Sequence, residues 1–338
     1  MNRALILCCF VLCAFVQNDS LLIIPNGWSK PIYNFANNPL THNKIELGRA
    51  LFYDAILSRN NTISCTSCHS QYTAFTHVDH ALSHGIYDSI GTRNAPALMN
   101  LAWQPVFMWD GAVHSIEAQP LAPIHNPIEM DETIQNVVVK LRQSDMYAPL
   151  FTKAFGDTAI TGERTLKALA QFMLTLVSAN SKYDKVQRGE QQFTPQEQNG
   201  YTLFKTHCAS CHTEPLFTTH GFANNGLKPD TTLNDIGRMR ISQNPRDLLL
   251  FKIPTLRNIE FSYPYMHDGR YKTLQQVLNH YTNGIHHSTT LAMQLQQSVQ
   301  LTSNQKVDIV AFLLALTDKD FLFNPKYSYP REIFGKHK

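Results

Sequence analysis

Two short segments hold the residues with the most chemistry in this chain: "CTSCH", Cys65 to His69, and "CASCH", Cys208 to His212. Each sets two thiols three positions apart and puts an imidazole directly after the second. That is the attachment pattern for c-type haem. The thiols add across the vinyl groups of the ring, and the imidazole reaches the iron from one side. The spacing follows from geometry, because one short turn must present two sulfurs and a ring nitrogen to a single rigid macrocycle. Other chemistries use the same residue types. A zinc site would more naturally take paired cysteines from both segments, without a histidine after each. A thioredoxin-like pair wants a βαβ context, which is absent. Disulfides would suit an exported chain, but the spacing speaks against them. The sequence predicts two covalent haems, with His69 and His212 as proximal ligands.

The other three of the seven cysteines, Cys8, Cys9 and Cys13, fall in an apolar run over 4–16. Arg3 precedes the run, and polar residues follow it. The run is short of the roughly 20 residues that span a bilayer. It reads as a secretory signal over 1–20, in preference to a membrane or lipid anchor, and implies an exported, periplasmic protein. The length of 338 residues, 43% of them hydrophobic, allows two buried cores. A net charge of +3 without a long basic run gives no reason to expect a nucleic-acid partner.

The elements that must position the two segments look like one module used twice. A helical pattern over 42–57 precedes the first segment and one over 194–207 the second, the latter with a Thr cap and Pro at its first position. Amphipathic stretches over 163–184 and 302–318 close the halves, the second with Ser303 as its expected N-cap. No alternating run suggests a sizeable sheet. The join falls in the polar stretch 184–193. Between the segments runs a long loop, 92–130, with Trp109, Glu129 and several prolines; its length and side chains suggest a site rather than a linker.

Together with the two haem segments, "ALSHGI", "GTRNAPALMN", "MWDG", "NPIEM" and "KIPTLRNIEFSYPYMHDGRYKTLQQVLNHYTNG" carry a resemblance. In this order they are similar to the bacterial di-haem cytochrome c peroxidase family, which includes the MauG-type enzymes. They cover most of the chain beyond the leader. The resemblance implies an all-α protein of two cytochrome c-like domains, 21–188 with the peroxidatic haem and 189–338 with the electron-transfer haem, joined by long functional loops.

It also implies site roles. Glu129 is the acid–base residue beside the peroxide-binding face, a task that suits a carboxylate tuned by burial. Trp109 lies between the haems as a stepping stone for electrons. His84 matches the residue that caps the peroxidatic iron in peroxidase members and is missing in MauG-type members. His77 and His80 have no family role and read as exposed loop residues. Tyr281 stands where peroxidase members have a methionine on the second iron and MauG-type members a tyrosine. Met266 and Met293 flank that region without matching the position, and His280 should point elsewhere. A calcium ion between the domains would be held by the Asn94 side chain and the carbonyls of Ser262 and Pro264. The family commonly has Arg after "WDG"; Ala112 stands here, so an ionic contact is expected to be missing.

The expected activity is reduction of hydrogen peroxide to water with electrons from a c-type cytochrome or similar small redox protein, in a chain that could form a homodimer. Two alternatives stand: a MauG-like oxidase that uses peroxide to modify residues of a partner protein, and a plain di-haem electron-transfer cytochrome.

Overall fold

The computed structural model describes residues 21–335. The expected leader, with Cys8, Cys9 and Cys13, lies outside the described residues. Helices dominate: α1 (His42–Tyr53), α2 (Leu121–His125), α3 (Ile134–Gln143), α4 (Tyr147–Phe155), α5 (Gly162–Leu174), α6 (Lys182–Gln187), α7 (Pro195–His207), α8 (Met239–Ser242), α9 (Leu274–Asn283), α10 (Ser303–Leu314), α11 (Lys319–Leu322) and α12 (Arg331–Phe334). Two strands, β1 (Phe222–Ala223) and β2 (Phe251–Lys252), pair antiparallel with Phe222 opposite Lys252. Long loops connect these elements, as the absence of alternating apolar runs predicts.

The helix ends show why the chain turns where it does. Thr194 caps α7: its hydroxyl accepts from Glu197 N, and the Glu197 carboxylate accepts from Thr194 N at 2.7 Å. Pro195 fills the first helical position, where no N–H is needed. Thr273 with Gln276 and Thr302 with Gln305 build the same box on α9 and α10. The cap of α10 is thus Thr302, one residue before the expected Ser303. The expected helix over 163–184 is two helices. After Leu174 the backbone N–H of Ser178 bonds the Asn100 side chain, and those of Ala179 and Asn180 bond Asp318. These side-chain acceptors take the donors that a continuous helix would use. The first helix stops at Tyr53, because the Asp54 carboxylate caps a 3-10 turn over Ala55–Leu57.

The repetition goes down to single residues. In the first half Phe52 and Phe75 pack on Phe172, at centroid distances of 5.2 and 6.5 Å. In the second, Phe204 and Phe217 pack on Phe312 at 5.1 and 6.2 Å. In both, a glycine lets two helices touch. A Cβ on Gly48 would lie 1.9 Å from the Ala168 carbonyl oxygen, and one on Gly200 1.9 Å from that of Asp308. One buried core runs through residues 47–176, the other through 183–316. Phe321 and Leu322 return to the first core. Arg257, which has no exposed surface, makes two 2.8 Å bonds to Asp184 at the join and meets the first half through Trp28, whose ring centroid lies 4.8 Å away.

Gly200→Ala forces backbone against backbone at the α7–α10 contact. A loss of about 1–3 kcal/mol is expected, read as a lower denaturant midpoint. An unchanged midpoint would mean that the two helices do not meet at this glycine.

Candidate functional site

Both haem-type segments adopt one local structure. Cys65 opens a 3-10 turn (Cys65–Ser67), capped reciprocally by Ser64 and Ser67. His69 N donates to Cys65 O at 2.9 Å, and the second segment repeats this between His212 N and Cys208 O, also at 2.9 Å. In the second segment both thiols and the imidazole line one cavity. The imidazoles are then fixed through Nδ1. That of His69 lies 2.7 Å from Phe75 O; that of His212 lies 3.1 Å from both Phe217 O and Pro254 O. A carbonyl can only accept, so each Nδ1 carries the proton, and Nε2 keeps the lone pair a metal needs. Phe75 and Phe217 have left-handed φ of 56° and 53°, which turns their carbonyls toward the rings. That conformation costs a phenylalanine of order 1 kcal/mol or more. Thr76 and Thr218 fix the next peptide by donating to Ala95 O and Ile253 O.

Burial lowers the His69 imidazole to about 4 and the His212 imidazole below its usual value. Both are therefore neutral, the form that binds iron. Burial likewise pushes the Cys65 and Cys208 thiols to about 12 and the Cys68 thiol to about 11. All four cysteines are unpaired. Raised, unpaired thiols are the opposite of the acidic thiolate of a disulfide-exchange pair.

A large cavity opens over the second segment. Cys208, Cys211 and His212 line one part of it and Tyr281, Met266 and Trp109 another. Its exposed lining is mostly apolar, as a porphyrin face requires. Burial raises the Tyr281 hydroxyl to about 12, with an Asn225 hydrogen bond opposing and the Cys208 and Cys211 sulfurs nearby. The phenol thus shares the cavity with both thiols. The Met266 sulfur lies 3.3 Å from the Asn225 amide. Met293 is 85% exposed. His280 is not among the residues that line the cavity; its Nε2 pairs with Asn225 O at 3.0 Å.

Beside the first segment, Glu129 sits close enough to the Cys68 thiol to raise its pKa. Burial raises the Glu129 carboxyl above its ordinary value, against a 2.7 Å bond from the Asn126 amide. The backbone holding it is tightly docked. Ile86 N donates to Glu129 O at 2.8 Å, and a Cβ on Gly85 would lie 2.5 Å from the Glu129 Cα. The His84 carbonyl is 3.5 Å from the Cys68 sulfur. The His84 ring turns elsewhere: Nδ1 pairs with exposed Asp88 at 2.7 Å, and the ring stacks on His80 at 4.0 Å, with His77 beyond at 5.2 Å. Among the described residues no cluster of three His, Cys, Asp or Glu side chains could hold a metal ion.

Trp109 belongs to the first half and lines the cavity of the second. Its indole donates to Asn94 O at 2.8 Å, and its carbonyl accepts from Lys252 N at 2.6 Å. Arg93 bridges the halves here, bonding Asp110 at 2.7 Å and Asp235 at 2.6 Å. Burial disfavours the Asp235 carboxylate, but Arg93 outweighs it and holds the group below its ordinary pKa. Near Ala112, where an ionic contact is expected to be missing, an arginine of the other half meets the "WDG" turn through a hydrogen bond to its backbone. Arg238 donates to Asp110 O at 3.0 Å and lies over the Phe222 ring. Asn94, Ser262 and Pro264 line the same cavity, and the Asn94 amide donates to Ala81 O at 3.0 Å.

Known proteins are similar to this chain. The family model for di-haem cytochrome c peroxidase matches residues 42–192, and that for cytochrome c matches 197–317. Over 82% of this chain and 79% of the relative, the sequence is 36% identical to methylamine utilization protein MauG of Methylorubrum extorquens. It is 35% identical to cytochrome c551 peroxidase of Nitrosomonas europaea, covering 83% of this chain and 82% of the relative. The chain belongs to the di-haem cytochrome c peroxidase family. Membership brings two haem c groups and a helix-dominated fold of two haem domains. A solved MauG-like protein associated with microbial copper homeostasis superposes with a TM-score of 0.81 at 31% identity, over 91% of this chain and 98% of that one. The diheme peroxidase of Burkholderia thailandensis, 20% identical with a TM-score of 0.72 over 86% of this chain and 90% of that one, shares the fold.

Arg93→Met strands two buried carboxylates between the halves. The expected loss is about 3–5 kcal/mol, seen as a lower denaturant midpoint. A midpoint equal to that of the parent protein would contradict the bridge.

Proposed function

We propose that this family member reduces hydrogen peroxide to two waters, with two protons and two electrons delivered singly by a c-type cytochrome. In this reading Cys65, Cys68 and His69 hold the peroxidatic haem, and Cys208, Cys211 and His212 hold the electron-entry haem, in domains 21–188 and 189–338. Each haem, when bound, supplies a redox-active iron and a delocalised ring. The observation that carries the reading is the half-buried Glu129 carboxyl beside the Cys68 thiol, with its pKa raised. Peroxide cleavage needs a proton moved from one oxygen to the departing one. A carboxyl whose pKa burial brings nearer to the working pH can accept and return that proton. Asn126 holds Oε1 of Glu129, which leaves Oε2 for the transfer. Trp109, on the cavity wall and bonded to both halves, carries electrons across. Asn94, Ser262 and Pro264 hold calcium beside it, and the chain works after export to the periplasm.

Tyr281 favours a second reading, peroxide-driven oxidation of residues on a partner protein. As the sixth ligand of the second iron, a phenolate would stabilise the oxidised state more than a thioether does. The His84 ring, paired with Asp88, agrees with a first iron that needs no uncapping. Adding peroxide to the fully oxidised holoprotein, with no donor present, separates the two. Immediate reaction favours partner oxidation, and a requirement for prior half-reduction favours the peroxidase cycle.

Glu129→Gln is expected to cut peroxide turnover by about 10²–10⁴-fold with both haems in place. In the parent protein, activity should fall on acidification with a midpoint above the ordinary glutamate value, because a raised pKa loses the base form earlier. That acid limb should vanish in the variant. Unchanged turnover in E129Q would remove the assigned role.

A further inference from the structure

The cavity over Cys208, Cys211 and His212 has an unbalanced lining. Lys252 enters it from β2, yet no aspartate or glutamate is among the described residues that line it. The Lys252 ammonium bonds only neutral groups, Gln104 Oε1 at 2.8 Å and Val106 O at 3.5 Å. Among the described residues it has no carboxylate within ion-pair distance. Burial alone brings it down to about 8. A buried cation without an anion costs several kcal/mol, and proteins normally supply the missing charge.

A second group in the same cavity is also incomplete. His220 Nε2 is buried and has no hydrogen-bond partner among the described residues. His220 and Lys252 both line the cavity and are close enough for the Lys252 charge to lower the imidazole pKa. An ammonium with only neutral partners and an imidazole nitrogen without a partner among the described residues both line a cavity whose described lining holds no acid.

Position narrows what fills it. Lys252 N donates to Trp109 O, and the Lys252 side chain ends on Gln104 of the first half. Lys252 therefore sits where the cavity wall meets the first half, next to Trp109. A haem c anchored through Cys208 and Cys211 carries two carboxylates on the edge opposite its thioether links. We propose that Lys252 and His220 hold a propionate of the C-terminal haem and so fix that edge of the ring beside Trp109. This rests on the reading that the second half carries a haem. Lys252 is a positioning residue that also offsets negative charge near the iron. Loss of a positive charge there favours the oxidised state.

The haem stays tethered by its thioethers, so the lysine can be changed without losing the group. Holoprotein with Lys252→Met is compared with Lys252→Arg and the parent chain. The readings are the haem count by pyridine haemochrome, the midpoint potential of the C-terminal haem, and the propionate bending band by resonance Raman. With two haems in each protein, K252M should shift the reduction equilibrium of the C-terminal haem at least tenfold toward the oxidised form, about 59 mV for one electron. The propionate band should move with it, and K252R should restore both. A fully loaded K252M with parental potential and band would overturn the proposal. If K252M loads poorly, His220→Phe provides the check: a moved propionate band supports the proposal and an unmoved one overturns it. Fewer than two haems in the parent protein would instead defeat the di-haem reading, which the count alone reports.

Discussion

A carbonyl oxygen held against Nδ1 of an imidazole is the contact on which the rest depends. It settles which ring nitrogen carries the proton, and so leaves the other as the only donor to a metal. Both halves achieve it with a phenylalanine in a left-handed conformation, five or six residues beyond the histidine. The strain is compensated by what the same residue packs on: Phe75 and Phe217 belong to the aromatic clusters that hold the flanking helices. Ligand orientation and core packing are thus one construction. A change in either half's aromatic trio would be felt at the imidazole.

The two halves differ where their tasks differ. Around the first segment, a half-buried carboxyl is kept beside a thiol, the setting for moving protons. Around the second, acids are excluded from the cavity, and a phenol, a thioether and a lysine take their places. Between them the contacts are dense and mutual. Trp109 leans from one half into the other's cavity, Arg93 pairs with a carboxylate on each side, and Arg238 reaches across to Asp110. An electron path between rigid centres needs a fixed distance, and these bonds make the interface rigid.

Much of this was legible in the sequence, for identifiable reasons. The haem segments are local, and their spacing alone carries the chemistry. The Thr-Pro start of α7 is local too. The break between α5 and α6 was not legible, because its causes, Asn100 and Asp318, lie far away along the chain. The Thr302 cap was missed in favour of its neighbour, although Gln305 three residues on marks the capping box. The resemblance brought Ala112 into view as a departure, but only the fold could reveal that Arg238, far along the chain, bonds the Asp110 carbonyl beside it. Lys252 lies inside one of the resembling segments, and the resemblance implies no role for it. A single lysine within the apolar stretch "LLLFKIPTL" was the available signal that something had to neutralise it.

The account's central claim is that each half fixes one haem through its own pair of thiols, under its own carbonyl-held imidazole. Intact mass of the matured protein, followed by mapping of proteolytic peptides, tests it most directly. Two haem additions are predicted, one on the peptide that contains Cys65 to His69 and one on that containing Cys208 to His212. A bare chain, a single addition, or a disulfide within either pair would contradict the account.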